Sequence, residues 1–141
     1  MKFIKILLFM IVSLALVNVA SAITTYAEWQ NQQPLIVINQ GEQVYFDYSL
    51  FSINPPMTYS VKMYDHEFNL IKTYVSATTN EYFVSQRQYV DENDYIDSGS
   101  YSIVVYGTDS LGDANTYTIT LIVNPIILPI NNAPILNPVG D

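Results

Sequence analysis

Residues 97–123, DSGSYSIVVYGTDSLGDANTYTITLIV, constrain this chain more than any other stretch. Over 100–107 and again over 114–123, apolar and polar side chains alternate with period two, the mark of a half-buried strand. In the first run Tyr101, Ile103 and Val105 share a face. In the second, Tyr117, Ile119, Leu121 and Val123 do, with Thr116, Thr118 and Thr120 opposite. The acidic segment between the runs carries Gly112 and reads as a tight turn, so the two runs form a hairpin. A period of 3.6 fits neither.

The same period recurs upstream. Val44, Phe46, Tyr48 and Leu50 alternate with Tyr45, Asp47 and Ser49, and Tyr59, Val61 and Met63 share a face further on. Turn formers separate the runs: Gly41, the Asn54-Pro55-Pro56 triplet that cannot continue a ladder, and the polar segment 65–69. Strands are expected over 35–38, 43–50, 57–64, 70–75, 81–86 (extending toward 90), 100–107 and 114–123. Seven short strands at this spacing fit an all-β antiparallel sandwich of two layers. The chain has no cysteine, so packing alone must join the layers.

Lys2 and Lys5 precede an apolar run over 6–17 broken only by Ser13, and Ala20-Ser21-Ala22 offers a small-x-small cleavage site. This is the pattern of a secretory signal peptide over 1–22, with Ile23 as the new N-terminus. An uncleaved anchor is the alternative, but a span needs roughly 20 apolar residues and this run is shorter. The chain beyond Ala22 divides into an N-terminal arm over 23–33, the sandwich domain over 34–124, and a Pro- and Asn-rich segment over 125–141. That last segment reads as a linker and the start of a further repeat, with a disordered tail as the alternative. After the leader, Lys62, Lys72 and Arg87 are the only basic residues, against thirteen carboxylates. Such a chain cannot neutralise a phosphate backbone or an anionic membrane, and cations are the small partners it favours. No later apolar run is long enough to cross a bilayer. The expected location is secreted, extracellular or in the cell envelope.

Asp97-Ser98-Gly99-Ser100-Tyr101 has the form of a tyrosine corner. The phenol turns back onto the preceding loop and closes one end of the sandwich, and Gly99 allows the tight backbone before it. With its hairpin, this segment resembles the immunoglobulin-like modules of prokaryotic cell-surface proteins, of PKD type or cadherin-like. Gly99, Tyr101, Ile103, Val105, Gly107, Asp109 and Gly112 match the last strands of such modules, and the run over 131–136 resembles the opening of a next repeat. The cysteine pair and core tryptophan of antibody-type domains are absent, as is the W-x-F-G-D-G signature of typical PKD domains. The resemblance implies a seven-stranded immunoglobulin-like β-sandwich that binds or spaces and does not catalyse.

The residues offer little for catalysis. His66 is the sole histidine and falls in a predicted turn, so neither a Ser-His-Asp nor a Cys-His device can be assembled. Calcium is the sharper candidate. In seven-strand order, the turns carrying Glu42, Asp65, Glu67, Asp91, Glu92, Asp94 and Asp97 share one end, and calcium takes six to eight oxygen ligands. Glu42, Asp91, Glu92 and Asp94 are the candidate ligands, since cadherin-like domains hold calcium at such a junction. Acidic turns that only keep a surface soluble are the alternative. Asp109 with Asp113 is a second, poorer candidate at the opposite end. Tyr45, Tyr64 and Tyr106 should face outward, as a contact patch or as cross-strand pairs. The function expected is an adhesion or spacer module of a tandem-repeat protein. Its partners would be a protein or glycan at a cell surface, or neighbouring repeats. A self-assembling fibre or surface-layer subunit exchanging its apolar C-terminal strand, and a carbohydrate-binding accessory module, are the alternatives.

Overall fold

The computed structural model describes residues 23–95 and 97–128. The leader expected over 1–22, and the linker from 129 onward with the expected repeat start at 131–136, lie outside them.

Alternation becomes eight strands: β1 (Ile23–Trp29), β2 (Leu35–Asn39), β3 (Val44–Ser52), β4 (Met57–Tyr64), β5 (Leu70–Thr79), β6 (Phe83–Val90), β7 (Gly99–Thr108) and β8 (Ala114–Asn124). They form a three-stranded sheet ordered β1-β3-β6 and a five-stranded sheet ordered β2-β8-β7-β4-β5. Every pairing is antiparallel except β2 with β8, which is parallel. The core lies between the sheets, built from the faces the sequence predicts: Val44, Phe46, Tyr48 and Leu50 from β3, Tyr59, Val61 and Met63 from β4, Ile103 and Val105 from β7, Ile119 and Leu121 from β8. Removing each large aliphatic side chain from water stabilises the fold by about 1.5–3 kcal/mol. Among the described residues, no buried side-chain nitrogen or oxygen lacks a hydrogen-bond partner.

Three expectations are corrected. The segment over 23–33 is not an arm: its first seven residues are β1, paired with β3 from Ile23↔Ser52 to Trp29↔Phe46. Ile23, Thr25, Ala27 and Trp29 alternate inward. Trp29 is 1 % exposed, meets Phe46 edge-on at 5.6 Å, and donates its indole N–H to the Thr120 carbonyl at 2.9 Å across the two sheets. A tryptophan therefore does fill the core, from the first strand. The sandwich is also not purely antiparallel. After Trp29 a tight turn with Gln32 at φ 60° carries the chain to the other sheet, where β2 runs alongside β8 in the same direction. Finally, the fourth predicted strand extends to Thr79 and pairs with β4, which puts β5 at the edge of the five-stranded sheet and leaves β6 as an edge of the other.

Gly107 has a packing reason. A Cβ there would lie 2.7 Å from Leu50 Cδ2 and 2.9 Å from Ile23 Cδ1, so any larger residue would have to push these core side chains aside.

Candidate functional site

Strand register divides the molecule into two poles. The β2–β3 turn, the β4–β5 turn and the β6–β7 loop lie at the pole where β8 ends, as the turn order predicts. The start of β1 lies at the other pole, where the Asn115 amide donates to the Ile23 carbonyl at 3.2 Å. The described chain thus enters at one pole and leaves at the other.

The exit pole is closed by two phenols. Tyr101 Oη donates to the Asp97 carbonyl at 2.8 Å, four residues back, and Gly99 opens β7 at φ 157°. The predicted corner of Asp97, Gly99 and Tyr101 forms. Beside it stands a second lock that sequence reasoning misses. Tyr95 Oη accepts from the Gly41 amide at 2.9 Å and donates to the Glu42 carbonyl at 3.1 Å, and the Tyr95 and Tyr101 rings lie 6.2 Å apart. Gly41 sits at φ 92°, a backbone that other residues rarely adopt, and this aims its amide at the phenol. Burial raises the Tyr95 pKa, so the phenol stays protonated and able to donate.

The candidate calcium ligands share this pole, and three of the four are already engaged. Glu42 turns back on its own bend, accepting from the Asn39 amide at 2.8 Å. Asp91 accepts from the Asn93 amide at 2.9 Å. Asp94 is 5 % exposed and ion-paired with Lys72, and its second oxygen accepts from Tyr74 Oη at 3.2 Å and the Asp91 amide at 3.3 Å. Burial first, and Asp94 second, raise the Tyr74 pKa well above the ordinary phenol. Glu92 is exposed beside the Gly41 turn. Asp65 caps its own turn through the Glu67 and Asn69 amides, both at 2.9 Å. Among the described residues, no three His, Cys, Asp or Glu side chains are grouped so as to hold a metal ion. His66 is exposed in the β4–β5 turn, 3.9 Å from Glu67. An open cleft of about 750 Å³ lies between the β2–β3 turn and the exiting segment, lined by Gly41, Glu42, Asn124 and Ile126 among others.

At the entry pole, Asp109 plays the part that Asp94 plays at the exit, without a cation. One oxygen accepts from the Leu111 and Asp113 amides at 3.0 Å each. The other takes Ser52 Oγ at 3.3 Å and the Asn54 amide at 3.4 Å. Burial pushes its pKa upward, but these donors outweigh burial and hold it below the ordinary carboxylate value. Asp113 is exposed.

The outer face of the three-stranded sheet carries rows set by register. Phe51 pairs with Phe83, Ser49 with Ser85, Asp47 with Arg87 and Tyr45 with Tyr89. Arg87 bonds Asp47 through Nε at 2.7 Å and Nη2 at 2.8 Å while its guanidinium lies 3.9 Å from the centre of the Tyr45 ring. Tyr26 flanks the rows from β1, with Tyr117 of β8 at 5.2 Å. Of the tyrosines expected outward, Tyr45 is therefore on this face, while Tyr64 and Tyr106 lie together on the other sheet, lining a shallow groove with Lys62.

No protein-family model matches the chain, and no curated protein matches it. Solved structures do resemble it. The periplasmic chaperone SfaE aligns at 12% identity with a TM-score of 0.50, covering 76% of this chain and 59% of the chaperone, so the chain spans less than two thirds of that protein. A CARDB domain from Pyrococcus furiosus, solved with di-metal ions, aligns at 13% identity and TM-score 0.48 over 74% of this chain and 94% of that one. The C-terminal domain of wzt aligns at 8% identity and TM-score 0.48 over 75% of each. Among the described residues, no helix is long and apolar enough to cross a membrane. The two-sheet topology, the formed tyrosine corner and the likeness to the chaperone together make this chain an immunoglobulin-like β-sandwich.

Proposed function

We propose that this chain is a secreted, non-catalytic immunoglobulin-like module that serves as an adhesion and spacer element of an extracellular or cell-envelope protein. The observation that carries this reading is that the first strand starts at one pole and the last strand ends at the other. β8 alone, at 11 residues, measures roughly 37 Å at about 3.4 Å per residue. Modules joined end to end would each add about one strand length. The motif of the last hairpin favours kinship with PKD-type and cadherin-like modules. Calcium has no part in this reading, since Asp94 pairs with Lys72 and Glu42 and Asp91 cap their own turns.

Small-angle scattering from one copy and from two joined copies of residues 23–141 tests it. The maximum dimension should grow by about one strand length or more. A pair that folds back, with an unchanged maximum dimension, would contradict the spacer role. A second reading, a self-assembling subunit, is favoured by Ile126, Ile127 and Leu128, which are 56, 89 and 77 % exposed beyond β8. Concentration-dependent oligomers that vanish on truncation after Asn124 would select it.

A further inference from the structure

From the outer face of the β1-β3-β6 sheet we infer a binding site for an extended neutral polysaccharide, with Phe83 and Tyr89 as its stacking platforms. The inference deepens the adhesive part of the function proposed above and rests on that reading for the module's exposure to the exterior.

Four observations carry it. First, the face is aromatic and open: Tyr26, Phe51, Phe83 and Tyr89 are 46, 43, 59 and 54 % exposed. Second, the rings are in two separated rows. Phe51 and Phe83 form one, Tyr45 and Tyr89 the other, and six residues along each strand put them about 20 Å apart. Between the rows lies a hydrophilic floor of Ser49, Ser85, Asp47 and Arg87, with a groove of about 230 Å³ at its Tyr26 and Phe83 side. A pyranose presents a flat C–H face and a rim of hydroxyls. Rings accept the first, and serine hydroxyls and carboxylates accept the second.

Third, the area selects the shape of the partner. Three strands about 4.8 Å apart and some 9 residues long give a face of about 400 Å². That is about half of what each side of a stable globular interface buries. A second copy or another folded domain would be weakly held, whereas a narrow chain could cover the face fully. Fourth, the charge selects its chemistry. Arg87 is the one cation in the rows and is neutralised by Asp47, with Glu28 adjacent on β1. Anionic polymers are disfavoured. A peptide is disfavoured too, because extended peptides are gripped through main-chain bonds at a sheet edge, and this platform is a face whose central strand is paired on both sides.

The test is titration of the secreted chain with neutral hexasaccharides (cellohexaose, xylohexaose, mannohexaose and chitohexaose), followed by nitrogen-15 chemical shifts. Binding of at least one is expected, with shift changes confined to β1, β3 and β6. Phe83→Ala and Tyr89→Ala should each weaken it about tenfold. Tyr106→Ala, on the opposite sheet, should leave it unchanged. Circular dichroism of each variant separates lost binding from lost fold. Silence toward all four sugars at millimolar concentration, shift changes on the five-stranded sheet, indifference to both ring deletions, or preference for an unstructured peptide would each overturn the inference. None of these outcomes bears on the end-to-end extension that tests the spacer reading.

Discussion

The two poles of the sandwich solve one problem with different chemistry. Each must satisfy loop backbone that leaves the sheets. The exit pole uses phenols and an ion pair: Tyr101 on Asp97, Tyr95 on Gly41 and Glu42, and Lys72 on Asp94. The entry pole uses a single carboxylate, Asp109, with four neutral donors gathered on it. Buried polar groups need such partners, because an unsatisfied one costs about 1–3 kcal/mol. The two poles show that acidic residues in turns can serve the fold itself, by holding backbone amides or a lysine. Most of the acids at these poles hold backbone or a lysine, and those left free are scattered.

The largest effect expected comes from removing what joins the two sheets between the poles. Trp29→Ala empties a core site between β1 and β8 and deletes the bond to Thr120, and should cost about 3–5 kcal/mol in denaturant unfolding. A loss below about 1 kcal/mol would mean that β1 contributes little to holding the two sheets together.

Next is the phenol pair. Tyr95→Phe and Tyr101→Phe keep the rings and delete the hydroxyls, and each should lose about 1 kcal/mol. Because the rings touch, the double variant should depart from the sum of the two, and strict additivity would show two independent locks.

Acid should separate the poles further. Asp109 has a folded pKa below its unfolded value of about 3.9. The stability it supplies is fully present above that value and is lost as pH falls through the folded pKa. Asp65 at the exit pole is depressed as well, chiefly by the Asn69 side chain, but its turn encloses only itself. Fluorescence or circular dichroism below about pH 4 should show loss of stability that Asp109→Asn largely removes. An unchanged acid profile in that variant would place the sensitivity elsewhere.

The smallest effect expected is that of calcium. A ligand that binds only the native state at a hundredfold excess over its Kd adds about 2.7 kcal/mol. Melting in millimolar calcium and in chelator should coincide. A rise of several degrees with calcium would return Glu42, Asp91, Glu92 and Asp94 to the status of ligands.

Much of this fold is legible in the residues, for stated physical reasons. In β3, β4, β7 and β8 most inward positions hold large apolar side chains and most outward ones polar groups, so period two is clear. The corner is legible because Gly99 and Tyr101 have fixed offsets within one segment. β1 escapes notice because two of its inward residues are Thr25 and Ala27, which carry little hydrophobic signal. The sheet to which β5 belongs is hidden because its pairing with β4 shifts register at Val61/Lys62 and at Met63/Tyr64, which blurs its alternation. Tyr95 lies in a loop without periodicity, and the burial of Asp94 depends on Lys72, a partner 22 residues away. The aromatic rows emerge only when β3 and β6 are set in register, because the pairing of Phe83 with Phe51 and of Tyr89 with Tyr45 is not written in either strand alone.

The central claim is that polar side chains at both poles are engaged in closing the sandwich. Amide hydrogen exchange of residues 23–141 measures this most directly. The amides of Gly41, Asp97, Leu111 and Asp113, each bonded to Tyr95, Tyr101 or Asp109, should exchange far more slowly than those of free loops. Exchange of these four at the rate of an unstructured peptide, while the strands stay protected, would contradict it.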